Sequence, residues 1–140
     1  MIVQTRQSLL SKRRLSSLIS KGSVGASTGA AAALVAAANA PRNTAAVVSR
    51  GGRPDLAGEY LAQVRAPVLL IVGGADTVVI DLNKAAAERL TCERQLILVP
   101  GATHLFEEPG TLKKVDDLAG DWFLAHFKAA ATRNPTPTRK

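Results

Sequence analysis

Cysteine is nearly absent from this 140-residue chain: Cys92 stands alone, so no intramolecular disulfide can form, as expected in a reducing compartment. Aromatic residues make up 4% of the sequence, and none precedes Tyr60. Acidic residues are missing before Asp55, although that stretch carries Arg6, Lys12, Arg13, Arg14, Lys21, Arg42, Arg50 and Arg53. The other ten of the 18 basic residues and all 11 acidic ones lie in 55–140, so the net charge of +7 belongs to the first segment. A basic segment without aromatics offers no stacking platform for bases, and nucleic acid is not an expected partner. No apolar run approaches the roughly 18 residues of a membrane span. Ser and Arg interrupt every apolar run among the first twenty residues, which excludes a signal-peptide core and leaves the cytoplasm as the expected location.

What is present suits one modest α/β domain. With 46% hydrophobic residues and few aromatics, the core must be built from Ala, Val, Leu and Ile. Residues 1–22 read as a basic lead-in, irregular or disordered, whose composition resembles a transit peptide or a basic surface helix and whose simplest duty is solubility. Residues 23–128 form the expected domain, and 129–140 a disordered tail.

Within the domain, helical and extended patterns alternate. An alanine-rich helix is predicted from Ser27 or Thr28 to about Asn39, stopped by Pro41. TAAVVS (44–49) reads as a strand closed by Gly51-Gly52, and 56–64 as a short helix. PVLLIVG (67–73) and QLILVP (95–100) are continuous apolar runs of the kind buried on both faces of a parallel sheet. A helix capped by Asp81 is predicted over 81–90, with Leu82, Ala85, Ala86 and Leu90 inward. A long amphipathic helix follows from Thr111 to about Lys128, its stripe formed by Leu112, Val115, Leu118, Ala119, Trp122 and Phe123. Such alternation implies a mostly parallel sheet of about four strands flanked by helices.

In parallel sheets the loops at the carboxyl ends of strands collect the chemistry. Gly25-Ala26-Ser27-Thr28-Gly29 fits the G-x-S-x-G elbow, GADTVV places Asp76 after one strand, and GATHLFEEPG places His104 after the next. A serine hydroxyl is a weak nucleophile that requires an imidazole to take its proton and a carboxylate to orient the imidazole. The order Ser27, Asp76, His104 is that of α/β-hydrolases, and the Thr28 N–H at the helix N-terminus is a candidate oxyanion donor. Each residue also has a plainer role. Ser27 can cap a helix, Asp76 can serve a turn or cap, and His104 can be an exposed loop residue. Asp81 is better explained by capping than by catalysis, and His126 by the macrodipole near the end of the last helix. Glu107 and Glu108 read as a solvated loop. Arg50 and Arg53 would touch an anionic substrate or hold their own turn. No metal-ligand spacing or phosphate loop occurs, and no cofactor is expected.

GASTGAAAALVAAA, VVSRGGRPDLAG, VRAPVLLIVGGADTVVIDLN and LVPGATHLFEEPG together resemble the C-terminal half of a dienelactone-hydrolase-like α/β-hydrolase, of the bacterial group often fused or adjacent to phosphoribosyltransferase domains. The resemblance spans about 25–127 and implies a partial α/β-hydrolase fold with a Ser27, Asp76, His104 triad; the first expectation is a serine hydrolase acting on a small-molecule ester, thioester or lactone, a substrate that the motifs themselves do not name. Strict dienelactone hydrolases place cysteine at the elbow, so serine points to the broader esterase-like branch, and Cys92 lies elsewhere. The first half of the sheet and its oxyanion loop have no counterpart, and LSSLISKGSV is too polar for a central strand. This implies a truncated gene or misplaced start, with 1–22 foreign to the family. The second expectation is thus an inactive remnant serving as an interaction module, with self-association through an exposed sheet edge.

Overall fold

The structure is a computed structural model that describes residues 2–5, 26–42 and 44–133, with side chains described for 29–42 and 44–127. Its elements are β1 (Ile2–Thr5), α1 (Ala26–Asn39), β2 (Thr44–Arg50), a 3₁₀ segment (Pro54–Gln63), β3 (Val68–Gly73), α2 (Thr77–Arg89), β4 (Arg94–Val99) and α3 (Thr111–Arg133). The strands lie in the order β1-β2-β3-β4. β2, β3 and β4 are parallel, with Val47 opposite Val68 and Ile71 opposite Ile97. This is the partial α/β-hydrolase architecture expected, a mostly parallel sheet flanked by helices.

Alternation along β2 and β3 divides the core into two layers. Ala46, Val48, Leu69 and Ile71 face Val115, Ala119 and Phe123 of α3. Val47, Val68 and Leu70 point the other way, onto Leu34 and Ala37 of α1, Leu61 of the 3₁₀ segment, and Ala86 and Leu90 at the end of α2. All six residues of β3 are buried, as its unbroken apolar run predicts. Alanines along α1 let that helix lie close to the sheet, while Leu34, wholly buried, supplies bulk worth about 1.5–3 kcal/mol.

Four local expectations are corrected. Ile2–Thr5, read as part of an irregular lead-in, pairs antiparallel with β2, Val3 opposite Val47. The polar stretch LSSLISKGSV before Ser27, and the lead-in from residue 6 to 22, lie outside the described residues. β4 is not buried on both faces: it ends the sheet order, and Leu98 is 41% exposed. α2 starts at Thr77, four residues early, so Asp81 is an exposed helical residue and not the cap. Its buried positions are Ile80, Asn83 and Ala86, leaving Leu82 half-buried and Ala85 exposed. Finally, α3 continues to Arg133, five residues into the stretch read as tail; Leu112, at its amino end, is exposed.

Candidate active site

Parallel strands deliver their carboxyl ends to one side of the sheet, and Asp76 and His104 meet there. After β3 the chain turns tightly: Asp76 N–H donates to Gly73 O at 3.0 Å, and Asp76 O accepts from Ile80 N–H at 3.0 Å, which places Asp76 at the N-cap of α2. A capping side chain would bond the first free amides of the helix. The Asp76 carboxylate caps nothing. It instead accepts from His104 Nδ1, with Oδ2 at 3.0 Å. The capping role considered for Asp76 is therefore positional only.

His104 lies on the loop after β4, which is held from three directions. Glu108 Oε1 accepts from both the N–H and the Oγ1 of Thr103. Thr111 Oγ1, at the start of α3, donates to Phe106 O at 2.8 Å and Glu108 O at 2.7 Å. Phe106 plants its ring in the core, 1% exposed, although its φ of 54° is left-handed and strained for a bulky residue. Glu108 is thus a clip on the histidine loop and not a solvated bystander. Its hydrogen bonds from Thr103 hold its carboxyl below the usual range. Glu107 is exposed, as expected.

The two loops touch through glycines. Ala75 N–H donates to Ala102 O at 3.0 Å and Gly74 N–H to Val99 O at 2.8 Å. A Cβ at Gly73 would fall 2.3 Å from Ala102 O and 2.7 Å from Thr103 O, so no other residue fits without moving the backbone. Gly51, after β2, has φ +56°, and a Cβ there would meet His104 O at 3.0 Å and Phe106 Cε2 at 3.4 Å. Sequence reasoning took Gly51 and Gly52 as a turn alone; that Gly51 floors the histidine loop depends on strand order.

The Asp76 side chain is 18% exposed and that of His104 38%, so the pair is shielded yet reachable. With the carboxylate accepting, the proton sits on Nδ1 and the lone pair on Nε2. Ser27 is the second residue of α1 and Thr28 the third, in the first turn where backbone N–H groups lack intrahelical partners. Their side chains, and the elbow at Gly25, lie outside the described residues.

Other candidates settle into supporting roles. Arg53 forms a two-pronged pair with Asp55, Nε to Oδ1 at 2.9 Å and Nη2 to Oδ2 at 2.8 Å, so it holds its own turn. Arg50 lies near Asp116 on α3. His126 sits two turns before the end of α3; it is buried, its ring centroid 4.1 Å from that of Trp122 and tilted 44° to it, and its Nε2 is 3.1 Å from Glu93 Oε1. It joins α3 to the entry of β4 and does not serve the helix end. Cys92 is half-buried, and desolvation pushes its thiol up, away from reactivity. It lines a cleft of about 720 Å³ with Ala38, Gln63, Arg65 and Thr91. That cleft lies at the amino ends of β3 and β4, away from Asp76 and His104. Among the described residues, no group of three His, Cys, Asp or Glu is placed to hold a metal ion, and no helix is long and apolar enough to cross a membrane.

Known proteins share this fold. A crystal structure of dienelactone hydrolase from Anabaena variabilis superposes with a TM-score of 0.70 and 56% identity, over 71% of this chain and 46% of that one. Est1E from Butyrivibrio proteoclasticus, also solved with ferulic acid bound, superposes with a TM-score of 0.62 over 73% of this chain and 59% of its own; at 16% identity this likeness shows the fold alone. Two Mycobacterium tuberculosis proteins, from strains CDC 1551 and H37Rv, are named phosphoribosyl transferases and are 64% identical over 106 residues, 76% of this chain. The chain spans about a quarter of the length of these curated relatives, 24%. The model of the dienelactone hydrolase family matches residues 5–131, reaching well into the lead-in that the sequence sets apart as foreign. With nearly its whole length inside that match, the chain belongs to the dienelactone hydrolase family.

Proposed function

We propose that this chain carries the catalytic residues of a serine hydrolase acting on an ester, thioester or lactone. The observation that supports it most is the 3.0 Å hydrogen bond from His104 Nδ1 to Asp76 Oδ2, formed between the carboxyl ends of adjacent parallel strands. Ser27 Oγ attacks the substrate carbonyl carbon while His104 Nε2 takes its proton. The carbonyl π bond opens to an oxyanion, to which the Thr28 N–H donates. Collapse breaks the bond to the leaving alkoxide or thiolate, which receives the proton from His104. Water then repeats the sequence on the acyl-serine and releases the acid. Asp76 stays ionised throughout, holding the imidazole tautomer and stabilising the imidazolium.

Family membership supports the hydrolase class, and serine at the elbow supports an oxygen nucleophile. The test is intact-mass labelling of the purified chain by a fluorophosphonate, in which Ser27 Oγ displaces fluoride from phosphorus. One adduct is expected, and its loss in Ser27→Ala. A folded protein that takes no adduct would sink the proposal.

A further inference from the structure

We infer that Asn83 is a positioning residue for the Asp76–His104 pair, acting through the Gly51-Gly52 turn. The inference rests on the hydrolase reading above for its consequence in rate, but the geometry stands independently. Asn83 lies on the inner face of α2, two turns beyond Asp76, and is 1% exposed. Its Nδ2 spends both hydrogens: one on Val79 O within the helix at 2.8 Å, the other on Gly52 O at 3.1 Å, 31 residues away in sequence. Its Oδ1 is buried and accepts no hydrogen bond among the described residues. An amide buried beside Ile80 and Ala86 with half its polar capacity unmet is a costly choice for a position that an apolar residue would fill.

What the choice achieves is a cross-brace. α2 carries Asp76 at its N-cap, and Asn83 fixes that helix to the β2 turn. The same turn, at Gly51, lies against the backbone oxygen and ring of His104. Gly51 N–H in turn donates to Ile71 O at 2.7 Å, tying the turn to β3. The bonds from Gly74 and Ala75 to the β4 loop fix the two catalytic loops along the sheet, but both lie on the β3 and β4 side. The hydrogen bond from Asn83 ties the aspartate helix directly to the turn beneath the histidine. Without it, α2 and the floor under His104 can shift separately, and the 3.0 Å bond is lost or lengthened.

The test compares Asn83→Leu, which keeps the volume and removes the donors, with Leu90→Ala, a buried change at the far end of α2. Two readouts are taken: fluorophosphonate labelling rate per folded molecule, and the ring-nitrogen signals of His104 in ¹H–¹⁵N correlation spectra. Asn83→Leu is expected to slow labelling at least about ten-fold and to replace the single Nδ1–H tautomer by a mixture. Leu90→Ala should lower stability and change neither. Should Asn83→Leu not fold, Asn83→Ala, which removes the donors without adding bulk, carries the same comparison. Wild-type labelling and a wild-type tautomer in the Asn83 variants would overturn the inference and leave Asn83 a structural bridge. If the unsubstituted chain takes no label, the hydrolase reading fails, while the tautomer signals still decide the role of Asn83.

Discussion

At the scale of single residues, the division of labour between Asp76 and His104 makes a sharp demand on the carboxylate. Asp76→Asn keeps the size and the hydrogen-bonding reach, yet its amide can donate to Nδ1 and so hold the proton on Nε2, the wrong nitrogen. Fluorophosphonate labelling should fall by about 10³- to 10⁴-fold with the circular dichroism spectrum unchanged. Near-normal labelling would remove Asp76 from the mechanism. Asp76 and His104, which the structure brings together, were legible in the sequence because each follows the end of an apolar run; Ser27 is proposed from an elbow pattern that lies outside the described side chains. Asn83 was not legible, nor were the contacts of Gly51 and Glu108. An asparagine within a helical pattern looks like any other, and its partner lies 31 residues away. Glu108 looks solvated until the loop closes on Thr103.

At the scale of elements, legibility followed how much of the environment local periodicity encodes. β3 and β4 look alike as apolar runs, yet one is central and the other at the edge, because strand order is set by crossovers that no local window contains. α2 begins in Thr77-Val78-Val79-Ile80, a β-branched run that disfavours helix by propensity. Burial of Ile80 and Ala86 outweighs that preference. The histidine loop allows a pH prediction. The Glu108 carboxyl is held below its usual range in the folded protein, so the stabilisation it lends the loop is present at neutral pH. It is lost as pH falls through the ordinary glutamate range and below. The Thr103 amide resonance should therefore shift in an acid titration, and should not in Glu108→Gln. An amide that stays flat in the unsubstituted chain would rule out the clip.

At the scale of the whole molecule, two apolar layers share one sheet, and β2 and β3 send alternate side chains into each. Leu34→Ala on one face should cost about 2–5 kcal/mol and Phe123→Ala on the other about 3–5 kcal/mol. As the two sites lie on opposite faces, the costs should add to within about 0.5 kcal/mol in urea unfolding. Two separate transitions, one for each layer, would contradict a single cooperative unit. The parallel order of β2, β3 and β4 also has a consequence in time. Each pairing must wait for the chain to cross over through an intervening segment, so non-local closure precedes any contact between the loops. The bond between Asp76 and His104, 28 residues apart, can close only once β3 and β4 have found their register. In refolding, the far-UV signal of the helices should recover before the ability to react with a fluorophosphonate, so that helical structure returns first and competence arrives last.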